Sequence, residues 1–183
     1  MKTSIKNLIA ASLTLVVLTS AAFTTKANDN NAITVLTAVK KVNKINVSGN
    51  VELILVQSSE ESVKVYDNYY TKNALVQQKD GELRVSSYEK ETLTVVLYVS
   101  NLTAITASDN AIVKTSGKFS ALNLDVNLND NAKAILNTNT ISLNTNVKGN
   151  GDLTLTGSTL EYTALVNSTS KVSMNDFAAE TSS

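Results

Sequence analysis

The chain has 183 residues, contains no proline, cysteine, histidine or tryptophan, and carries a formal net charge of zero. This length is typical of one domain. The lack of cysteine excludes a disulfide framework, and the lack of cysteine and histidine excludes every nucleophile–base pair that uses them. Because basic residues are not in excess, the charge gives no reason to expect nucleic acid or an anionic membrane as a partner.

The N-terminal segment 1–22 has the layout of a secretory signal peptide. Lys2 and Lys6 precede an apolar run over residues 8–18, and small residues follow that run. The run is too short for a transmembrane span, which needs about 20 residues. Without Lys2 and Lys6, the 16 basic side chains fall to 14 against 16 acidic ones. We therefore expect an exported, soluble and slightly acidic chain with no transmembrane segment after cleavage.

The cleavage site and the start of the domain are less sharply marked. Cleavage after Ala22 or after Ala27 fits the small residues, and we favour Ala22. Residues 23–42 are then a lead-in to the domain.

Alternation of apolar and polar residues begins at Ile45 and continues in a less regular form to Val99. It predicts opening strands, and Asp80-Gly81 between two alternating runs predicts a hairpin. The most aromatic stretch is Asp67-Asn68-Tyr69-Tyr70. We interpret it as an exposed loop that packs against the first strands, with a contact surface for a partner as the alternative.

The second half of the chain repeats with a period of about 19 residues and alternates within each repeat. Leu124, Leu143 and Tyr162 form one column, and a slightly longer spacing extends the pattern upstream to Ile105 and Ala107. We expect six inward side chains in each repeat. The other inward columns are Leu122, Ile141 and Leu160; Val126, Thr145 and Ala164; Leu128, Val147 and Val166; Ala132, Gly151 and Ser170; Ala134, Leu153 and Val172. A period of about 19–21 residues with internal alternation predicts an all-β, single-stranded β-solenoid similar to a right-handed parallel β-helix.

One column marks a turn of each repeat and contains Asn50, Asn110, Asn131 and Asn150. Asparagine accepts positive φ cheaply, so these residues are interpreted as turn residues without a ligand. Alternatively, their amides bond to one another as a ladder along the stack. A second turn is predicted near Ser116-Gly117, Asn137-Thr138, Thr156-Gly157 and Asn175-Asp176.

Two turn acids, Asp109 and Asp130, are the candidates for chemistry. Their predicted separation of about 5 Å suits a retaining glycosidase, and their oxygens suit calcium. The column continues as Gly149 and Ser168, and the chain lacks the glycine-rich nonapeptide motif of calcium-binding β-rolls. We therefore interpret both acids as weak surface-site candidates. No catalytic residue, metal site or cofactor is predicted.

Four further segments are informative when taken together: Ile45-Asn46-Val47-Ser48-Gly49-Asn50-Val51-Glu52-Leu53, Val63-Lys64-Val65, Asp80-Gly81-Glu82-Leu83-Arg84-Val85 and Leu102-Thr103-Ala104-Ile105. With these segments the chain resembles the head GIN domain family of putative auto-transporter adhesins. The resemblance covers roughly residues 43–175. Family members carry Ser-Gly-Ser-Gly-like turns, which this chain keeps only at Gly149 and Gly151. The resemblance implies an exported β-solenoid of a Gram-negative bacterium, in a family with no established activity.

We therefore expect a GIN-like β-solenoid domain over residues 43–176, followed by a polar tail over 177–183. The expected function is that of a non-enzymatic adhesin or envelope interaction module in the periplasm, at the cell surface or outside the cell. The alternatives are a structural envelope protein and a carbohydrate-active enzyme. The expected partner is a carbohydrate or a cell-surface protein, bound by the outward side chains Asn123, Asp125, Asn127, Ser142, Asn144, Asn146, Glu161, Thr163 and Leu165.

Overall fold

The computed structural model describes residues 33–39, 41–66 and 74–183. Within these ranges the regular structure is entirely β, and there is no helix that could cross a membrane. The signal peptide over residues 1–22 and the aromatic stretch Asp67–Tyr70 lie outside the described residues. The strands are β1 (Ile33–Leu36), β2 (Lys44–Gly49), β3 (Val51–Gln57), β4 (Ser62–Tyr66), β5 (Ala74–Lys79), β6 (Glu82–Ser87), β7 (Leu93–Val99), β8 (Ala104–Ala107), β9 (Ile112–Thr115), β10 (Phe119–Leu128), β11 (Lys133–Val147), β12 (Asp152–Val166) and β13 (Lys171–Ser182).

These strands are hydrogen-bonded into one curled sheet. Eleven follow the order β1-β4-β7-β3-β9-β11-β10-β8-β2-β6-β5, and β12 and β13 continue from β11. Pairing is parallel except for β1 with β4, β4 with β7, and β5 with β6, which is the hairpin predicted at Asp80-Gly81. The predicted all-β class is therefore confirmed, whereas the antiparallel pairs show that the opening half is not built from one regular unit.

In the second half, the period seen in the sequence equals the offset in residue number between paired residues of neighbouring strands. Leu143 lies opposite Leu124 of β10 and opposite Tyr162 of β12. Val126 lies opposite Ile105 of β8, at the slightly longer spacing. Equivalent residues thus stand one strand spacing apart, about 4.8 Å, and bury the same face.

The second predicted turn lies within a continuous strand at three of its four positions. Asn137-Thr138 lies inside β11 and Thr156-Gly157 inside β12, both of which are 15 residues long. The bend in β12 uses Gly157 at φ +98°, where a Cβ would lie 2.1 Å from the carbonyl oxygen of Thr138. Glycine is required there both by its φ and by the close approach of the neighbouring backbone. Asn175-Asp176 also lies inside a strand, β13, whereas Ser116-Gly117 separates β9 from β10.

The core is a continuous stack of aliphatic side chains along the inner face of the sheet. Among the predicted inward columns, however, the one containing Leu122, Ile141 and Leu160 is wrong, because these side chains are 67%, 48% and 45% exposed. In each strand two successive residues point outward here, and the buried positions on either side are separated by both of them, as at Thr140 and Leu143. The strands therefore bend at this column, which turns the aliphatic side chains to the surface.

Both predicted ends of the domain also need correction. The residues assigned to a polar tail, 177–183, instead continue β13 to Ser182 and pair with β12. At the other end, Val39 and Val42 of the predicted lead-in are buried in the core. Apolar alternation alone missed both, because β13 is mostly polar and exposed and β1 is very short.

Leu143 and Asn144 test the assignment of inner and outer faces. Leu143 is fully buried and Asn144 is exposed. Leu143→Ala should leave a cavity and lower the free energy of unfolding by about 2–5 kcal/mol in a denaturant melt. Asn144→Ala should change it by about 0.5 kcal/mol or less. Equal losses would contradict the register described above, since a slip of one residue exchanges the faces.

Two buried threonines differ in whether the hydroxyl group has a hydrogen-bond partner. The Thr138 hydroxyl is buried and has no hydrogen-bond partner among the described residues, whereas Thr140 Oγ1 donates to Thr159 Oγ1 at 2.9 Å. Thr138→Val should stabilise the protein by up to about 1 kcal/mol, because it removes an unpaired buried polar group. Thr140→Val should cost about 0.5–1.5 kcal/mol. Thermal melts of the two variants beside the parent measure both effects, and a loss at Thr138 would reveal a partner for its hydroxyl.

Candidate interaction surface

Nine outward side chains of β10, β11 and β12 form a three-by-three grid, which we name the amide face. Each strand contributes three alternate residues because inward and outward positions alternate along a strand. Its columns follow the strand register: Asn123, Ser142 and Glu161; Asp125, Asn144 and Thr163; Asn127, Asn146 and Leu165.

The grid has nearly regular dimensions. Neighbouring residues within a column lie one strand spacing apart, about 4.8 Å, and neighbouring columns lie about 6.7 Å apart along the strands. Asn144 Nδ2 donates to Asp125 Oδ1 at 2.9 Å, which aligns these two side chains. A shallow depression of about 280 Å³ lies over the grid between Asp125 and Leu165. The face therefore offers repeated donors and acceptors on a nearly flat surface and not an enclosed pocket.

The charges on the amide face are acidic. Asp125 and Glu161 are both exposed, and the face itself contains no lysine or arginine. Amides, hydroxyls and two carboxylates together suit a ligand rich in hydroxyl or N–H donors.

At the turn column, the left-handed backbone lies one residue earlier than predicted. Positive φ occurs at Asp109 and Asp130, both at +58°, and at the equivalent Gly49 and Gly149. It does not occur at the asparagines that follow them. At Gly149 a Cβ would lie 2.7 Å from the carbonyl oxygen of Asp130, so the close stacking of turns also requires glycine there. The interpretation that Asn131 supplies the positive φ is therefore wrong.

The alternative interpretation of the turn asparagines, an amide ladder, describes three of the four. Asn150 Nδ2 donates to Asn131 Oδ1 at 3.1 Å, and Asn131 Nδ2 donates to Asn110 Oδ1 at 3.4 Å. Asn50 is different, because its Nδ2 donates to the carbonyl oxygen of Lys90 at 2.8 Å. The ladder thus links successive turns of the second half, whereas Asn50 fixes a loop of the opening half.

The two turn acids bind backbone of the neighbouring turn. Asp109 Oδ2 accepts from the N–H of Gly49 at 3.0 Å, and Asp130 Oδ2 accepts from the N–H of Asp109 at 3.2 Å. Each carboxylate therefore caps the turn stacked on it. Within the described ranges no group of three or more acidic side chains gathers around either of them. The geometry gives both weak surface-site candidates a structural role.

Sequence reasoning missed an apolar stripe beside the amide face. Leu122, Ile141 and Leu160 are exposed and border the column that begins at Asn123. The sequence did not reveal the bend that exposes these side chains, because Thr140 and Thr159 occupy the neighbouring inward positions, where aliphatic residues are expected. The stripe widens the surface with aliphatic contacts.

The sequence matches one family model over residues 41–183, and that family is described as "Putative auto-transporter adhesin, head GIN domain". A search of curated proteins finds no match.

Three solved structures with a similar fold come from species of Parabacteroides. A putative adhesin from Parabacteroides distasonis has a TM-score of 0.64 and 17% identity, with 84% of this chain and 76% of that chain covered. A putative adhesin from Parabacteroides merdae has a TM-score of 0.62 and 17% identity, covering 85% and 77%. A putative lipid binding protein from Parabacteroides distasonis has a TM-score of 0.60 and 12% identity, covering 85% and 78%. At these identities the likeness shows the fold alone.

Substitutions at Asp130 and Asn131 separate backbone conformation from side-chain bonding in the turn. Asp130→Val should cost about 2 kcal/mol or more, since a β-branched residue is strained at positive φ. Asp130→Gly should stay within about 1 kcal/mol of the parent, because relief of φ offsets the lost bond to Asp109.

Asn131 is the matched control, and its valine and glycine variants should behave alike. Each loses the ladder bonds to Asn110 and Asn150, which are worth about 0.5–1.5 kcal/mol apiece. Denaturant melts of the four variants measure these differences. If Asn131→Val were as destabilising as Asp130→Val, the left-handed residue would be Asn131.

Proposed function

We propose, from the premise that the chain belongs to the head GIN domain family, that it is an exported, non-enzymatic adhesive module that binds extended carbohydrate chains on its amide face. The observation that carries this proposal is the regular outward-facing grid of amide, hydroxyl and carboxylate groups on β10–β12. A hydroxyl-rich chain with a repeating backbone can pair with such a grid at several columns at once.

The shape of the face favours a long ligand over a small molecule. Small-molecule sites are concave and bury most of the ligand, whereas the depression on this face is shallow and open. Each polar contact is worth little at an exposed site, so affinity must come from many contacts repeated along the ligand. Leu165 and the neighbouring apolar stripe add surface for the C–H faces of sugar rings.

The location proposed for this function is the envelope of a Gram-negative bacterium. The layout of residues 1–22 supports export, and the family description supports a surface role. We further propose that the stacked strands form a β-solenoid, because the second half adds strands at a constant register. A scaffold of this kind presents a flat face whose length grows with each added strand. No cofactor is part of this proposal.

The experiment is a binding assay with purified protein on immobilised cell-envelope polysaccharides of defined composition. The double variant Asn144→Ala with Asn146→Ala removes the amides at the centre of the grid. It should bind at least about tenfold more weakly, which corresponds to the loss of two net hydrogen bonds. The matched control is Asn101→Ala, an exposed asparagine in the loop between β7 and β8, which should bind like the parent.

Four outcomes would contradict the proposal. Equal binding by the double variant and the control would remove the amide face from recognition. Binding only to surface proteins would replace carbohydrate by a protein partner. Release of shortened glycans from the immobilised polysaccharide would favour the carbohydrate-active enzyme, and failure of surface labelling on intact cells would favour a structural role inside the envelope.

A further inference from the structure

The outer edge of β13 is open. β13 pairs with β12 on one side, and no strand of the described part of the chain pairs with it on the other. Such an edge presents unpaired backbone N–H and C=O groups and is a template for pairing with another chain. Of the features that protect natural edges, β13 has no proline and one lysine, Lys171, at its start, and its irregularity is confined to the register shift between Ser173 and Asp176.

Apolar side chains are left exposed at the same end of the sheet. Met174 is 42% exposed and Val166 is 47% exposed. Phe177 is only half-buried, with its ring edge-on to Tyr162 at a centroid distance of 5.5 Å. The last strand therefore neither satisfies its outer backbone nor completes the core beneath it.

We propose that β13 pairs with β13 of a second copy of this chain, antiparallel and about a two-fold axis, with Lys171 of each copy opposite Glu180 of the other. Two-fold pairing uses the same edge on both copies and closes it, so the paired β13 edges cannot add a further copy.

The register follows from the faces of the side chains. Lys171 lies opposite Asp152 and Val172 opposite Leu153, so Lys171 points outward and Val172 inward. Ala179 lies opposite Thr159, which is buried, so Ala179 points inward and Glu180 outward. Residues directly opposite in an antiparallel pair share a face. Pairing Lys171 with Glu180 places Val172 on Ala179 and thus keeps inward with inward and outward with outward.

Charge complementarity selects this register among its neighbours. A shift of two residues in either direction places Lys171 opposite Ala178 or Ser182, so neither Lys171 nor Glu180 faces an opposite charge of the second copy. A shift of one residue that places Asp176 opposite Asp176 of the second copy brings like charges together and also exchanges the faces. In the proposed register Asp176 lies opposite Asn175.

The bend in the last strand is compatible with this symmetry. The register between β12 and β13 shifts between Thr154 and Thr156, which lie opposite Ser173 and Asp176. The centre of the proposed pairing falls between Asn175 and Asp176, at that bend. A two-fold axis through the bend pairs the residues before the bend in one copy with the residues after the bend in the other copy. The two bent edges therefore pair along their length. Met174 then lies opposite Phe177 and covers the exposed end of the core.

Sedimentation equilibrium on the purified protein tests the pairing by charge reversal. The parent should dimerise reversibly. Lys171→Glu or Glu180→Lys alone should weaken the dimer by roughly tenfold or more, because each change places like charges together at both symmetric positions. The double variant Lys171→Glu with Glu180→Lys should restore the parent's dissociation constant. Circular dichroism of each variant verifies that it is folded.

A cross-linking experiment tests the register independently of charge, since the chain contains no cysteine. Mixed Ser173→Cys and Ala178→Cys proteins should form a disulfide-linked pair under mild oxidation, because those residues are directly opposite in the proposed register. Mixed Ser173→Cys and Thr181→Cys proteins are the matched control and should link much more slowly. A monomeric parent at every soluble concentration, failure of the double charge reversal to restore the dimer, or equal linking of both cysteine pairs would overturn the proposal.

Discussion

Parallel stacking of strands in a fixed register is the interaction on which the rest of this structure depends. In the second half of the chain, Leu143 lies between Leu124 and Tyr162, one strand spacing from each. Because the register from β10 to β12 is constant, most inward columns become stacks of aliphatic side chains, and the outward columns of the amide face become rows of mainly polar side chains. The hydrophobic core and the amide face are therefore two consequences of one pairing pattern.

The turns stack in the same register, and two neighbouring residues of each turn have different roles. Asp130 adopts the left-handed conformation and uses its carboxylate to cap the adjacent turn. Asn131, the next residue, uses its amide to link turns along the stack. This arrangement explains why acids cluster at the turn edge without converging on a site. The side chains that remain available to a ligand are instead those of the amide face.

Stacking also leaves one edge of the sheet open, because no strand of the described residues pairs with the outer side of β13. β13 is more polar and more exposed than the strands before it, yet its outer backbone is unpaired in the described part of the chain. Pairing with a second copy would supply the missing strand without further growth. The amide face lies on β10, β11 and β12, so the proposed carbohydrate binding and the proposed self-association involve different residues and can be tested separately.

The sequence by itself determined the all-β class, the hairpin at Asp80-Gly81, and the strand register and polar grid of the second half, because a constant period with internal alternation sets both the pairing and the face of each residue there. Tertiary structure decided what periodicity does not encode. Leu122 is exposed because the strands bend at its column. The positive φ belongs to Asp130, and the sequence could not show this because a turn column does not tell which of two successive residues is left-handed. Residues 177–182 form a strand because β12 offers them an edge, although they lack apolar alternation. Backbone pairing and local bending depend on neighbours distant in sequence, and only the folded chain brings those neighbours together.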